Sequence, residues 1–338
     1  MTPSRSRASA SLTSFEICAG AGGQALGLEN AGFAHAALVE LDAMACQTLR
    51  LNRPKWDVIE GDVHDIDGKD YRGVDLFSGG VPCPPFSIAG KQLGPDDDRD
   101  LFPTALRLIA EAKPLAVMLE NVPGLATGRF ADYRKKLAAK LSKLGYVADW
   151  QVLNSCNYGV PQLRPRFILV AFKTKKAARR FIWPAAVGTP PTVGERLLDL
   201  MASRGWRGAA RWAERAKGVG PTLVGGSKLH GGPDLGPTRA RAAWLALGVN
   251  GKTIAEEPPA PDYLVRALPR LTVRMGARIQ GFPDSWQISG RKTAAWRQVG
   301  NAFPPPVAEA VGGAVRRALL GEVLTLEAEQ IALPFRIA

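Results

Sequence analysis

Short apolar runs punctuate the first half of the chain, and most of them end in glycine, proline or acidic residues. Five have the length and composition of buried strands, at positions 15–18, 35–40, 56–63, 73–77 and 115–119. Stretches with helical character lie between them, as at 25–31 and 42–52, and two further strands are expected at 146–153 and 167–172. Strands that alternate with helices predict an α/β fold with a doubly wound, Rossmann-like sheet.

The charge of the chain changes near residue 173. Residues 173–297 hold 22 Lys and Arg against 8 Asp and Glu, a net of +14, whereas the remainder holds 22 against 23, a net of −1. With 338 residues the chain is long enough for two domains. A neutral α/β part joined to a strongly basic, Gly-, Pro- and Arg-rich part favours nucleic acid as the partner of the second part.

Other features of the sequence exclude several classes of protein. No run of about 18 apolar residues is present, so no membrane span is expected. The four cysteines are far apart and lack C-x-x-C spacing, which argues against a zinc site or a disulfide scaffold and suits a reducing cytosol. The basic, Ser-rich N-terminus has no apolar segment after it, so we expect a disordered lead-in and not a signal peptide.

Three predicted strand ends carry groups that suit a nucleoside. A glycine-rich turn at 19–24 follows the first strand, and its glycines allow close approach of a ligand to the backbone. Glu40 ends the second run, at a place where a carboxylate commonly accepts hydrogen bonds from ribose hydroxyls. Asp62, at the end of the third run, suits an exocyclic amine of a purine. A plain turn and solvated acids are the alternatives, and the lack of G-x-G-x-x-G counts against a dinucleotide.

The fourth run leads into residues 79–87, which read Gly-Gly-Val-Pro-Cys-Pro-Pro-Phe-Ser. Two glycines and three prolines oppose regular structure there. Open α/β sheets bind ligands beyond the carboxyl ends of their strands, so Cys83 stands where a nucleophile would act. The alternative is a small buried thiol, because free cysteine is among the most buried residue types. The polar connection that continues to residue 100 has the length of a functional loop.

Further candidates follow later strands. Glu120 ends the fifth run, expected beside the strand that leads to Cys83, and partial burial would raise its pKa and make it a proton donor. Arg164 and Arg166 open a later strand, and alternation points both to one side, which suits a carboxylate or a phosphate. An exposed turn acid and a basic start to a strand are the respective alternatives.

Taken in order, these segments resemble bacterial DNA (cytosine-5)-methyltransferases of the restriction-modification type over nearly the whole chain. The segments that carry the resemblance are the Ala-Gly-Ala-Gly-Gly turn, the strand ending in Glu40, Gly61-Asp62-Val63, Pro82-Cys83, Glu120-Asn121-Val122, Gln162-x-Arg164-x-Arg166, Arg270-x-Thr272-x-Arg274 through Gln280-Gly281-Phe282-Pro283, and Gly300-Asn301. Each is weak alone, but eight in the family's order are specific.

The resemblance implies that S-adenosylmethionine binds at the glycine turn, with its ribose on Glu40 and its adenine amine on Asp62. Cys18 departs from the family, which often has Phe packed on the adenine, so a looser contact is expected there. No metal is implied. The cofactor contacts implied by the resemblance are Cys18, Ala19, Gly20, Gly22, Gly23, Glu40, Leu41, Asp62, Val63, Pro82, Leu101, Asn301 and Ala302.

The resemblance also implies methyl transfer to carbon 5 of a cytosine that is flipped out of duplex DNA. Cys83 would add to carbon 6 of the ring, protonated Glu120 would bond to N3, and Arg164 would help to hold the base. Arg166 would bind either Glu120 or the backbone near the loop. The DNA contacts expected are Ser87, Gln162, Lys228, His230 and Arg239.

The implied layout has a lead-in at 1–12, a catalytic domain at 13–180, a smaller, basic, irregular target-recognition domain at 181–290 with a variable core at about 185–268, a return to the catalytic domain at 291–325, and a tail at 326–338. We expect a monomer in the bacterial cytoplasm, associated with the nucleoid through DNA, and a cognate restriction endonuclease that acts separately. The alternatives are an RNA cytosine-5 methyltransferase and a non-catalytic DNA-binding regulator of the same fold.

Overall fold

The computed structural model describes residues 11–82, 100–226 and 232–322, together with the backbone of 333–334. Seven strands form its central sheet: β1 (Leu12–Ile17), β2 (Phe33–Glu40), β3 (Val58–Glu60), β4 (Leu76–Gly80), β5 (Ala116–Asn121), β6 (Val147–Asn154) and β8 (Pro165–Phe172). Their order is β3-β2-β1-β4-β5-β8-β6. Strands β1 to β5 run parallel, and β8 is antiparallel to both β5 and β6. The order reverses between β1 and β4, as in other doubly wound sheets.

Two short pairs of strands lie outside this sheet. Strand β7 (Gln162–Leu163) pairs in parallel with β10 (Gly220–Pro221), and β9 (Ile182–Trp183) pairs antiparallel with β11 (Leu333–Pro334). The helices described are α1 (Gly23–Asn30), α2 (Ala43–Asn52), α3 (Phe102–Ala112), α4 (Ala131–Lys143), α5 (Lys175–Arg180), α6 (Val193–Ala202), α7 (Ala209–Arg215), α8 (Thr238–Ala246), α9 (Val273–Ile279), α10 (Lys292–Asn301) and α11 (Pro305–Leu320). Within the described ranges, no helix is long and apolar enough to cross a bilayer.

Helices cover both faces of the sheet because its strands are apolar on both sides. On β5, Val117 and Leu119 belong to the buried cluster that includes α3 and α4. Ala116 and Met118 belong to the cluster that includes α1, α5 and α11. Alternate residues of one strand therefore meet opposite helical layers, as the period of two requires.

The last helix described, α11, packs closely against the first, α1. A Cβ added at Gly27 of α1 would lie 2.4 Å from the carbonyl oxygen of Pro305, and one added at Gly312 of α11 would lie 2.7 Å from Leu28 Cδ2. The end of the chain thus completes the layer of helices begun by its first helix.

Strand boundaries differ from the predicted ones at two places that matter for the site. The third strand ends at Glu60, and Asp62 instead caps a short 3₁₀ turn at Val63–Asp65. Strand β4 continues through Gly79 and Gly80, where we expected the chain to leave the sheet. Gly79 allows this continuation because a Cβ there would approach the Ile17 side chain to 2.7 Å.

The basic segment has a hydrophobic core of its own, although its composition suggested loops. Buried tryptophans from α7, α8 and α10, which are Trp212, Trp244 and Trp296, share one cluster with residues of α6 and α9. Helix α9 begins after Thr272, whose side chain caps it by accepting from the N–H of Met275, and is followed by Gly281 at φ +90°. Helices α6, α7, α8 and α10 had no predicted counterpart.

Candidate active site

A cavity of about 450 Å³ lies beyond the carboxyl ends of the parallel strands, at the point where the strand order reverses. Its size is that of a small-molecule site. Both the start and the end of the chain contribute to its wall. The predicted cofactor residues that line it are Cys18, Ala19, Gly20, Glu40, Leu41, Asp62, Val63, Pro82, Leu101, Asn301 and Ala302. The strand ends singled out in the sequence therefore meet in one space.

The Glu40 carboxylate is fixed by two backbone donors. One oxygen accepts from the N–H of Gly20 at 2.7 Å, and the other accepts from the N–H of Asp42 at 2.7 Å. These bonds tie the end of β2 to the glycine turn and to the N-cap of α2. Each oxygen keeps a lone pair, so the carboxylate can accept further hydrogen bonds from a ligand.

Asp62 and Cys18 follow β3 and β1, two strands on the same side of the switch point. Oδ1 of Asp62 accepts from the backbone N–H of His64 at 2.9 Å and lies 2.7 Å from the His64 ring Nδ1. These hydrogen bonds hold the pKa of Asp62 below its usual value. Cys18 has φ +53°, a left-handed conformation that is uncommon for residues other than glycine. Burial raises the pKa of the Cys18 thiol, which therefore stays protonated.

Gly22 and Gly23, predicted as cofactor contacts, are buried and lie outside the set of residues that line the cavity. Their small size serves packing instead. A Cβ at Gly22 would lie 2.6 Å from Leu49 Cδ2, and one at Gly23 would lie 2.1 Å from the carbonyl oxygen of Phe303. Because Trp286 Nε1 also donates to the carbonyl of Ala21 at 3.1 Å, the glycine turn is supported by residues near the end of the chain.

Two buried polar side chains of the cavity wall were missed in the sequence. Glu16 on β1 is fully buried, and Ser78 Oγ donates to its Oε2 at 3.4 Å. Glu16 Oε1 and both polar atoms of Gln24 form no hydrogen bond of good geometry among the described residues, although the Gln24 amide lies close enough to the carboxyl to lower the pKa of Glu16. Burial raises the pKa of Glu16 to about 8, and Glu40 adds to this effect. The sequence signal that could have revealed Glu16 is a glutamate on a predicted buried strand that leads directly into the glycine turn.

Glu120 stands at the other end of the same cavity. It pairs in register with Gly80 on the neighbouring parallel strand, so the prediction that it lies beside the strand leading to Cys83 is confirmed. Arg166 Nε lies 2.7 Å from its Oε1, and both side chains are nearly buried. Burial raises the pKa of Glu120, and the guanidiniums of Arg166 and Arg164 oppose that rise. The partner of Arg166, left open by the sequence, is therefore Glu120.

Hydrogen bonds hold both ends of the connection that carries Cys83. The N–H of Leu101 donates to the carbonyl of Pro82 at 3.4 Å, so the chain returns beside the point at which it left. Asn121 Nδ2 donates to the carbonyl of Val81 at 2.9 Å. Cys83 and Ser87 themselves lie outside the described residues. The residue that precedes Cys83, Pro82, lines the cavity together with Glu120.

Arg164 and Gln162 occupy different places from those predicted. Arg164 is fully buried, and its Nη atoms donate to the carbonyls of Leu223, Gly300 and Ala302 at 2.6, 2.8 and 3.0 Å. Arg164 therefore holds these three backbone carbonyls in place, whereas Arg166 binds Glu120. Gln162 is also fully buried with both amide atoms bonded inside the protein, which corrects its prediction as a DNA contact.

The remaining predicted DNA contacts fall in or next to the basic segment. Lys228 and His230 lie outside the described ranges, and Arg239 is exposed on α8. In those ranges, no group of three or more His, Cys, Asp or Glu residues is placed to hold a metal ion.

Comparison with known proteins identifies the family. The family model described as C-5 cytosine-specific DNA methylase matches residues 12–219 and 239–317. The chain belongs to this family. Membership agrees with the prediction of a DNA (cytosine-5)-methyltransferase and not with the RNA-directed or non-catalytic alternatives.

Curated relatives of this methylase cover most of its length. It is 56% identical over 313 residues to the type II methyltransferase M.NaeI of Lentzea aerocolonigenes, covering 91% of this chain and 76% of that protein. It is 52% identical over 319 residues to the type II methyltransferase M.NgoMIV of Neisseria gonorrhoeae, covering 92% of this chain and 99% of that protein.

Solved structures share the fold of the methylase at lower identity. A protein described as a DNA modification methyltransferase from an Escherichia coli prophage superposes with a TM-score of 0.63 at 24% identity, covering 91% of this chain and 99% of that one. A DNMT2 variant of Spodoptera frugiperda superposes with a TM-score of 0.64 at 16% identity, covering 90% and 100%.

Proposed function

We propose that this methylase transfers the methyl group of S-adenosylmethionine to carbon 5 of a cytosine within a specific duplex DNA sequence, as the modification enzyme of a type II restriction-modification system. The observation that carries the proposal is the shared cavity, because the carboxylates suited to a nucleoside and the buried acid Glu120 line one space. The names of the relatives M.NaeI and M.NgoMIV support the type of system.

The residues around the cavity fit the proposed cofactor, which supplies an electrophilic methyl group when bound. Glu40, already fixed by two N–H groups, accepts from ribose hydroxyls through its remaining lone pairs. Asp62 accepts from the adenine amine. Glu16 Oε1 and the amide of Gln24 are buried polar atoms without hydrogen bonds of good geometry, and polar groups of a ligand would complete their hydrogen bonding.

The catalytic roles follow from the other end of the cavity. The thiolate of Cys83 adds to carbon 6 of the flipped base, and the new S–C bond raises the electron density at carbon 5. Glu120 in its protonated form donates to N3, and its burial favours that form. Arg166, whose Nε lies 2.7 Å from Glu120 Oε1, positions the Glu120 carboxyl. Carbon 5 then takes the methyl group as S-adenosylhomocysteine leaves. A base removes the hydrogen that carbon 5 still carries, and the bond between carbon 6 and the Cys83 sulfur breaks to return the thiolate.

The domain layout and the partners complete the proposal. Residues 13–180 and 291–325 form the catalytic part, and residues 181–290 read the DNA, with Arg239 among the contacts. The core of this reader, at about 185–268, sets the recognised sequence. The enzyme acts as a monomer on duplex DNA in the bacterial cytoplasm and the nucleoid, and a separate cognate endonuclease cleaves the same sequence when it is unmethylated.

Transfer of tritiated methyl groups from the cofactor to duplex DNA and to tRNA tests this function, with Cys83→Ser as the comparison. Wild-type protein should label DNA and not tRNA, and the variant should bind S-adenosylhomocysteine but label neither. A duplex with 5-fluorocytosine at the target should trap wild-type protein covalently, because fluorine cannot depart as a proton. Normal turnover by Cys83→Ser, or active enzyme that leaves the fluorinated duplex untrapped, would refute covalent catalysis.

A further inference from the structure

A chain of buried polar side chains joins the basic segment to the wall of the cofactor cavity. Gln162 and Gln280 are fully buried, and Nε2 of Gln162 donates to Oε1 of Gln280 at 2.6 Å. At one end, Gln162 Oε1 accepts from the N–H of Leu223 at 2.7 Å. At the other end, Gln280 Nε2 donates to the carbonyls of Val299 at 2.6 Å and Ala302 at 3.3 Å. These hydrogen-bonded side chains thus connect the backbone at Leu223 with the backbone at Val299 and Ala302.

Arg164 forms a second link between the same two segments. It donates to the carbonyl of Leu223 on one side and to those of Gly300 and Ala302 on the other. Hydrogen bonds from a buried charged group are among the stronger ones in proteins. Leu223 is therefore bound through both its N–H and its carbonyl, and Ala302 through its carbonyl, by side chains that neither segment supplies.

The two linked segments serve different ligands under the proposed function. Residues 220–226 begin with β10, in the basic part that reads DNA, and residues 299–303 contribute Asn301, Ala302 and Phe303 to the cavity wall. Asn301 Nδ2 donates directly to the carbonyl of Gly226 at 3.2 Å, and Gly226 itself lines the cavity.

Backbone packing leaves these segments little room to move apart or closer together. A Cβ at Gly300 would lie 2.3 Å from the backbone nitrogen of Gly225. A Cβ at Gly225 would lie 2.3 Å from the carbonyl oxygen of Arg297. Close packing of this kind, combined with the buried hydrogen bonds, makes 220–226 and 299–303 a single rigid unit.

We propose that Gln162, Arg164 and Gln280 are positioning residues that couple DNA binding to cofactor binding. The inference rests on the proposed function. DNA that binds at 220–226 restrains 299–303 at the same time, because the two segments move as one unit, so the cofactor then meets a wall that is already held in place. Linkage requires the reverse effect to be equal, so the cofactor tightens DNA binding by the same factor. Neither buried glutamine needs to contact either ligand.

The coupling is measured as a ratio of dissociation constants. Bisulfite sequencing of DNA from an expressing host first identifies the sequence that the enzyme methylates. Calorimetry then gives the Kd of S-adenosylhomocysteine with and without a duplex that contains this sequence. Wild-type protein should show a ratio of about fivefold or more, the lower range of typical allosteric coupling. Gln280→Met, which keeps the side-chain size but removes the three hydrogen bonds of Gln280, should bring the ratio to within about twofold of unity.

Tyr146→Phe is the matched control, because it removes one buried hydrogen bond to a backbone carbonyl, that of Pro114 at 2.7 Å, far along the chain from both segments. It should keep the wild-type ratio. A folded Gln280→Met with the wild-type ratio, or a wild-type ratio of one, would overturn the inference. If wild-type protein methylates DNA but shows no coupling, this inference alone is wrong. If wild-type protein transfers no methyl group, the proposed function is wrong.

A measurement on wild-type protein covers the case in which the variants do not fold. Hydrogen exchange followed by mass spectrometry should show that S-adenosylhomocysteine slows amide exchange at 220–226, and that DNA slows it at 299–303. Protection confined to the segment that each ligand contacts would contradict a rigid connection. Arg164→Lys keeps the charge but not the forked geometry, so it should lower the ratio of dissociation constants as well.

Discussion

Glu16 makes the stability of this enzyme depend on pH in a direction that the structure predicts. Its carboxyl is fully buried at the floor of the cofactor cavity, one oxygen has no partner, and its pKa is raised from 4.5 to about 8. The folded protein therefore holds a proton between these two pH values that the unfolded chain releases. Stability from this group is fully present below about pH 4.5 and is lost as pH rises to about 8.

The size of the effect follows from the pKa difference. A shift from 4.5 to about 8 corresponds to a free energy on the order of 5 kcal/mol, at 1.36 kcal/mol for each pKa unit. Glu16→Gln has the shape of the protonated side chain and can still accept from Ser78, but it cannot ionise. The variant should match the wild type near pH 5 and exceed its free energy of unfolding by about 4 kcal/mol at pH 8.

Urea unfolding of both proteins without cofactor, from pH 5 to pH 9, measures this difference directly. The quantity to follow is the free energy of unfolding of Glu16→Gln minus that of the wild type. It should rise with pH up to about 8 and then level off. A difference that stays constant over the whole range would refute the assignment of a protonated, buried Glu16.

Three further predictions concern the catalytic acid, the glycine turn and the reader. Arg166→Gln removes the cation that opposes the raised pKa of Glu120, so the alkaline limb of the rate–pH profile should move to higher pH. Arg166→Lys should move this limb less. An unchanged limb would count against Glu120 as the acid. Gly23→Ala should cost about 1–3 kcal/mol of unfolding free energy, because its Cβ meets the Phe303 carbonyl oxygen, and Gly128→Ala, with open space around it, should cost less than Gly23→Ala in the same thermal or urea unfolding assay. Exchange of residues 185–268 with those of a relative should transfer the sequence specificity of that relative, as measured by bisulfite sequencing. Unchanged specificity would mean that the residues which recognise the DNA sequence lie outside 185–268.

The sequence alone was sufficient where local patterns and one topological rule act together. Strands that alternate with helices predict a parallel sheet, and parallel strands bring their carboxyl ends to one edge. The glycine turn, Glu40 and Asp62 were placed in one pocket for this reason, and the structure brings Gly20, Glu40 and Asp62 to the same cavity. The position of Glu120 beside the strand that leads to Cys83 followed in the same way. The N-cap Thr272 was predictable because helix capping depends on residues three positions apart.

Only the tertiary structure decided the roles that depend on distant partners. Gly22 and Gly23 look like cofactor contacts in the sequence, but Trp286 and Phe303 near the end of the chain take up the space that they leave. Gln162 and Arg164 look like surface groups for DNA, but Gln162 bonds to Gln280, 118 residues away, and both are buried. No local pattern encodes such contacts, because burial and hydrogen-bond partners depend on which distant segments the fold brings together.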